Sequence, residues 1–406
     1  MADPRESGGV QGRLSILYSF PHPIGTPGIG WTAWNQVTEL VRAGHRVHLV
    51  ASSVARPIAG LTSRTTTLGV AGVRIPHRLL GGVDRAYGWH DRIAARSVAR
   101  RPVDVVHAWP LASRRTFEAA SDRGIPAVRE VPNTHTAHAY DVVAQELAML
   151  GLELPPASSH AFNAARLREE EREWSSATAL LTPSDAVART FLDRGFEPAR
   201  LLRHRYGYRP GGRMPSEVGP RSRPFTAVFL GRGEPRKGLH YALRAWLASS
   251  ASEHGRFVVY GSFIPGYRES LETMLAHPSV EVAGFTDDAM GALGAADVLV
   301  LPSLEEGSAL VTYEAQAAGC VPLVSTASGA ELEHGVQGFL HEPRDVATLT
   351  WQLDLLSSEP AVLERMRAEA IRHSDRLTWA AATEVLVAAY RQADALVRGA
   401  AHARSE

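Results

Sequence analysis

The strongest constraint on this chain is the order of its first segments, which alternate between strand and helix patterns. "RLSILYSF" (13–20) is a short apolar run of strand type, and "PHPIGTPGIG" is a loop dense in Gly and Pro. "WTAWNQVTELVRAG" follows, with Trp31, Trp34, Val37, Leu40 and Val41 at helical spacing. Gly44 suits the C-cap, and "HRVHLVA" reads as the next strand. Strand, loop, helix, strand is a βαβ unit, and its crossover makes the two strands parallel neighbours.

The alternation continues. "VDVVHAW" (103–109), "IPAVREV" (125–131) and "TALLTPS" (178–184) are strand-like, and "AARLREEEREWSSA" (164–177) and "DAVARTFLDRG" are helical. The acidic and basic run "REEERE" is a solvated helix face, since Arg and Glu at i,i+3 and i,i+4 support one another. The polar stretch "RPGGRMPSEVGPRSR" (209–223) reads as a linker. A second α/β series follows, with strand candidates at 225–231, 256–261, 279–284, 297–303 and 321–325. The expectation is two doubly wound α/β domains facing a cleft, with ligands beyond the carboxyl ends of the strands. The bounds are a disordered tail at 1–12, an N-terminal domain at 13–208, a linker at 209–223 and a C-terminal domain at 224–385. A C-terminal helix and tail take 386–406, and packing of that helix back on the N-terminal domain is one arrangement open to it.

Composition narrows the function. The 43 basic residues balance the 43 acidic ones, so no global charge draws the chain to nucleic acid or to an anionic membrane. A single cysteine, Cys320, excludes an intramolecular disulfide and a multi-cysteine metal site. No run of 18 apolar residues is present, and the polar N-terminus lacks a signal core. A cytoplasmic location is expected, with at most peripheral membrane contact. The abundance of Arg and Ala suggests a GC-rich bacterial genome.

Lys237 is the only lysine among those 43 basic residues. It stands in "FLGRGEPRKGLHYALRAW" (229–246), where a strand, the turn "RGEPRKG" and a helix succeed one another. A helix N-terminus favours an anion, and Arg232 and Lys237 flank this turn. A guanidinium grips phosphate oxygens with two hydrogen bonds, whereas an ammonium is a compact charge. A diphosphate clamp and a plain exposed turn residue are both open for Lys237. In "LPSLEEGSALVTYEAQAAGC" (301–320), Glu306 falls in a loop after a strand and Glu314 one turn into the following helix. The amides of Gly307, Ser308, Ala309 and Leu310 cap that helix. Carboxylates accept hydrogen bonds from sugar hydroxyls. A glutamate in a first helical turn otherwise serves the helix dipole.

These elements resemble the GT-B fold glycosyltransferases of family 4, the group 1 glycosyltransferases. Glu306 and Glu314 match the family's E-x7-E motif, and Gly231, Arg232, Lys237 and Gly238 match its G-R-x4-K-G element. "AGFTDD", "AADVLVLPS" and "GIGWTAWNQVTELVRAGHRVHLV" stand in family order, so the resemblance covers nearly the whole chain beyond residue 13. It implies two Rossmann-like domains and sugar transfer from a nucleotide-sugar, with retention of anomeric configuration and no catalytic metal or other cofactor. UDP or GDP is the favoured carrier. The acceptor is a small molecule, a lipid-linked species or a glycan, and no nucleic acid is involved.

The resemblance also implies roles. Arg232 and Lys237 would neutralise the donor diphosphate, Glu314 would bind the ribose and Glu306 the transferred sugar. The amides from Gly307 to Leu310 would hold sugar hydroxyls and phosphate, and Gly28 and Gly30 would let the backbone approach the diphosphate. The family's histidine after an N-domain strand matches His135 best, a few residues late in "AVREVPNTHTAHAYD", with His138 as the alternative. His107, Trp109, Arg129, Glu130 and Tyr140 are candidates for the acceptor side. Ser308 and Ala309 stand where many relatives carry Phe followed by Gly or Pro, which leaves the donor sugar open. A pseudo-glycosyltransferase, a nucleotide-sugar hydrolase or epimerase, and a silent nucleotide-sugar-binding protein are the competing readings.

Overall fold

The computed structural model describes residues 12–70, 73–155, 158–211 and 223–402. The expected tail, apart from residue 12, and most of the expected linker lie outside the described residues. A seven-stranded sheet contains β1 (Ser15–Ile24), β2 (Arg46–Val54), β3 (Ser63–Thr66), β4 (Val105–Ala108), β5 (Ala127–Glu130), β6 (Ala179–Thr182) and β7 (Leu201–Arg203). Its order is β3-β2-β1-β4-β5-β6-β7. A six-stranded sheet contains β8 (Thr226–Leu230), β9 (Arg256–Tyr260), β10 (Val280–Gly284), β11 (Val298–Leu301), β12 (Val321–Ser325) and β13 (Phe339–His341). Its order is β10-β9-β8-β11-β12-β13. The pairings are parallel from β3 through to β6 in the first sheet and throughout the second. Each order reverses beside its first strand, at β1/β4 and at β8/β11, and such switch points are where doubly wound sheets bind ligands.

The strands read as continuous apolar runs because helices cover parallel sheets on both faces. Ile16, Leu17, Val47, Leu49, Val106 and Val128 are fully buried in the first sheet. Phe229, Leu299, Val300 and Leu323 are fully buried in the second, packed with Leu239, Leu243 and Trp246 of the helix Leu239–Ala248.

The structure departs from the sequence pattern in three respects. The first strand continues through Pro21 and Pro23 to Ile24, with an irregular register between Phe20 and Pro23. Proline lacks a donor for the ladder and is tolerated at such irregularities. The short strands β3, β7 and β13 carry too few residues to show a period. The stretch 141–163, between the strand candidate at 125–131 and the helix pattern at 164–177, is helical as far as Leu150 within the helix Thr136–Leu150. Its buried Ala139, Tyr140, Val143, Glu146 and Leu147 keep helical spacing.

The chain forms two compact units. One holds the residues up to Glu130, Arg168–Leu181 and the chain from Val387 on, and the other holds Val131–Leu167 and Thr182–Leu386. Among the described residues no helix is long and apolar enough to cross a membrane.

Candidate active site

The switch point of the six-stranded sheet, within the second unit, carries most of the residues that the sequence singles out. Strand β8 ends at Leu230, and a tight turn over Pro235–Lys237 leads into the helix Leu239–Ala248. Gly238 sits there in the left-handed region (φ 71°), and a Cβ on it would run into the carbonyl of Pro302. The turn is therefore pressed onto the loop that follows β11. The two are also tied by the Leu304 amide, which donates to the Arg236 carbonyl at 2.7 Å. This close approach is the physical need behind the glycine after the lone lysine.

Lys237 points at that loop and pairs with Glu306 through Oε1. Arg236 pairs with the other carboxylate oxygen, Oε2, at 3.2 Å. Glu306 is 6% exposed. Burial pushes its carboxyl up, but the charges of Lys237 and Arg236 outweigh that and hold it below the usual glutamate range. Arg232 is exposed, and among the described residues it makes no ion pair.

Glu314 lies in the helix Leu310–Ala317. Its carboxylate has no hydrogen-bond or ion-pair partner among the described residues, and burial alone pushes it up to about 7. A half-buried acid without a partner among the described residues, at the carboxyl end of a parallel sheet, marks a binding-site candidate. Ahead of it, the amides of Gly307, Ser308 and Leu310 donate to no other residue among those described. Ala309 differs from the expectation, because its amide donates to the Ser328 carbonyl at 3.0 Å. The loop folds back on the residues after β12, which removes one of the four donors.

The segment after β5 belongs to the same unit. A Cβ on Gly307 would collide with the Pro132 carbonyl, and the Ser184 hydroxyl donates to the Gly307 carbonyl at 2.6 Å. Glu305, fully buried, accepts from the Thr134 amide at 3.2 Å and from its hydroxyl at 2.7 Å. His160 and Arg236 each lie 3.6 Å from its other oxygen. Burial raises the Glu305 carboxyl, while the facing His160 and the Arg236 charge win and hold it at about 2. Arg236, Glu305, Thr134 and His160 were not singled out from the sequence. Their signal was adjacency, for Arg236 and Glu305 flank the motif residues Lys237 and Glu306.

His135 caps the helix Thr136–Leu150. Its Nδ1 accepts the Ala137 amide at 3.2 Å, and its ring packs edge-on against Phe191 and Phe196. It is 5% exposed, and burial, aided by the charge of Arg194, lowers it to about 4. His138, the third residue of that helix, is half-buried and lowered chiefly by burial.

The remaining candidates lie mostly in the first unit. Gly28 precedes the helix Ile29–Arg42 with φ 77° and no side-chain cap. A Cβ on Gly30 would strike Thr26 and the Pro23 carbonyl, so this glycine is required by the folding of its own loop. His107, Trp109, Arg129 and Glu130 are 0–1% exposed, which places them in the core and not on an acceptor surface. Tyr140, in the second unit, is also buried. Among the described residues no cluster of three His, Cys, Asp or Glu side chains is placed to hold a metal ion.

Comparison with known proteins agrees with this arrangement. Residues 224–359 match the model described as "Glycosyl transferases group 1", and residues 27–202 match "Glycosyltransferase Family 4". A D-inositol 3-phosphate glycosyltransferase of Geodermatophilus obscurus is 30% identical over 71% of this chain and 66% of its own length. One of Rhodococcus opacus is matched over 62% of its length, so these relatives are spanned over somewhat less than two thirds. One of Actinosynnema mirum is 27% identical over 94% of this chain and 97% of its own. Among solved structures, HepE of Anabaena in complex with UDP aligns with a TM-score of 0.61 at 15% identity, covering 92% of this chain and 98% of its own. Sucrose-phosphate synthase of Thermosynechococcus elongatus aligns at 0.67 and 17%, covering 94% and 99%. With both sheets matched in turn and the GT-B architecture in place, the chain belongs to the group 1, family 4 glycosyltransferases.

Proposed function

We propose that this protein transfers a sugar from a nucleotide-sugar to an acceptor, with retention of configuration and without a catalytic metal. The observation that carries the reading is one switch point bearing an exposed guanidinium, a lone ammonium, and helix-mouth amides and a half-buried carboxyl that have no partner among the described residues. Arg232 and Lys237 are assigned the donor diphosphate. The amides of Gly307, Ser308 and Leu310 are assigned phosphate and sugar oxygens, Glu306 the transferred sugar and Glu314 the ribose hydroxyls. Gly28 and Gly30 carry the family's donor-loop pattern in the other unit, and His135 its histidine position. As the bond to the diphosphate breaks, negative charge grows on the leaving oxygens. A cation fixed about 4 Å away is worth roughly 4 kcal/mol at an effective dielectric near 20, before desolvation. Only the part gained in the transition state speeds the reaction.

UDP is the first carrier to try, since HepE is described in complex with UDP and with UDP-glucose. The curated relatives are named for D-inositol 3-phosphate, which makes a cyclitol phosphate the first acceptor to offer. The test is thermal stabilisation by UDP, GDP, ADP and TDP, with Lys237→Ala alongside. A ligand at a hundred times its Kd adds about 2.7 kcal/mol of stability. One nucleotide should shift the wild type, and the shift should shrink in the variant. If no nucleotide shifts the wild type, donor binding at this site is wrong.

A further inference from the structure

Lys237 is already occupied. Its ammonium sits on Oε1 of Glu306, so a donor diphosphate and Glu306 compete for one cation. A carboxylate 6% exposed cannot be left bare, because an uncompensated buried charge costs several kcal/mol. A second cation is already in place on the other oxygen. Arg236 lies 3.2 Å from Oε2 and donates through the same nitrogen to the Glu305 carbonyl at 3.0 Å. Its own carbonyl holds the Leu304 amide, and its Nε lies 2.8 Å from Glu234. Main chain and side chain of one residue thus clasp the loop that bears Glu306. The Ser303 hydroxyl, 3.4 Å from Oε1, stays behind on the oxygen that Lys237 would leave.

We propose that Arg236 is a positioning residue that holds Glu306 in place and compensated, which frees Lys237 to turn to the donor diphosphate. The inference rests on the donor assignment above. A guanidinium suits this post because it keeps its charge and spans several acceptors at once, here the carboxylates of Glu234, Glu305 and Glu306 and one carbonyl. Without Arg236, Glu306 keeps Lys237 for itself and donor binding weakens. Removing the Glu306 charge as well removes the competitor, so binding returns. A residue that served stability alone would show no such restoration.

The experiment is calorimetric titration of UDP and GDP into wild type, Arg236→Met, Arg236→Lys, Glu306→Gln and the double variant Arg236→Met/Glu306→Gln. Arg236→Met should weaken binding about tenfold and Arg236→Lys about threefold, since lysine restores charge without the fork. The double variant should bind within about threefold of Glu306→Gln alone. Wild-type affinity in Arg236→Met, or a double variant as weak as Arg236→Met, overturns the proposal. If wild type binds neither nucleotide, the donor assignment is what has failed. Urea unfolding without ligand then still decides whether Arg236 compensates Glu306. Arg236→Met should destabilise wild type more than it destabilises Glu306→Gln, where no carboxylate is left to compensate. An equal loss in both backgrounds overturns the compensation itself.

Discussion

The two sheets reverse their strand order in the same way, yet the polar residues near their switch points are used differently. Around β1 and β4 the groups satisfy one another. Gln36 donates to Glu130 at 3.1 Å, and Trp109 donates to the Tyr18 hydroxyl at 2.7 Å. His107 lies 3.2 Å from Glu130 and 2.7 Å from the Tyr390 hydroxyl. Tyr18, His107 and Glu130 are fully buried. Around β8 and β11 the charges are only partly matched: among the described residues Arg232 is unpaired and Glu314 has no partner, and Lys237 shares Glu306 with Arg236. A closed network rigidifies a core, whereas an unfinished one is left for a ligand to complete. The same topology supports both, and the side chains decide which is which.

The sharpest way to break this contrast is Lys237→Ala. Sugar transfer should fall roughly 10²- to 10³-fold, about 3–4 kcal/mol of barrier, while stability changes little. A variant within threefold of wild type in steady-state turnover would return Lys237 to the status of a turn residue. The counterpart in the closed network is Glu130→Leu, which strips Gln36 and His107 of an acceptor in the core. It should cost about 2–4 kcal/mol in urea unfolding. A loss below 1 kcal/mol would show the network to be dispensable.

Glu314→Gln sharpens the contrast through pH. The folded carboxyl titrates at about 7, above its unfolded value near 4.3, so the folded state holds its proton more tightly. That advantage is present below about pH 4, fades as pH rises toward 7 and is gone above it. Relative to wild type, the glutamine variant should therefore gain on the order of 2–3 kcal/mol between pH 4 and pH 8. Parallel pH–stability curves would mean that Glu314 is solvated in solution.

Smaller effects complete the series. His135→Ala removes a helix cap and part of a ring cluster, for about 1–2 kcal/mol of stability. Intact turnover in that variant would confine His135 to capping and end its assignment to the family's histidine position. Gly28→Ala forces a side chain into φ 77°, which costs about 1 kcal/mol in unfolding experiments although a Cβ there meets no neighbour.

Some of this was legible from residue order alone. Periodicity marks strands and helices locally, and long apolar runs in β1, β2, β8 and β11 reveal a parallel sheet covered on both faces. Gly238, Lys237, Glu306 and Glu314 could be picked out because each stands at a fixed offset from a strand end. Tertiary structure decided the rest, since it depends on distance between residues far apart in sequence. The sequence could not show that Glu305 binds Thr134 across 171 positions, that Ser328 takes the Ala309 amide, or that Glu130 is spent on His107 and Gln36. Nor could it show that Val131–Leu167 folds with the second unit. Local pattern sets which element a residue joins. Burial and partner choice are set by the packing of the whole chain, and they determine which charged groups are already neutralised and which are still available to a ligand.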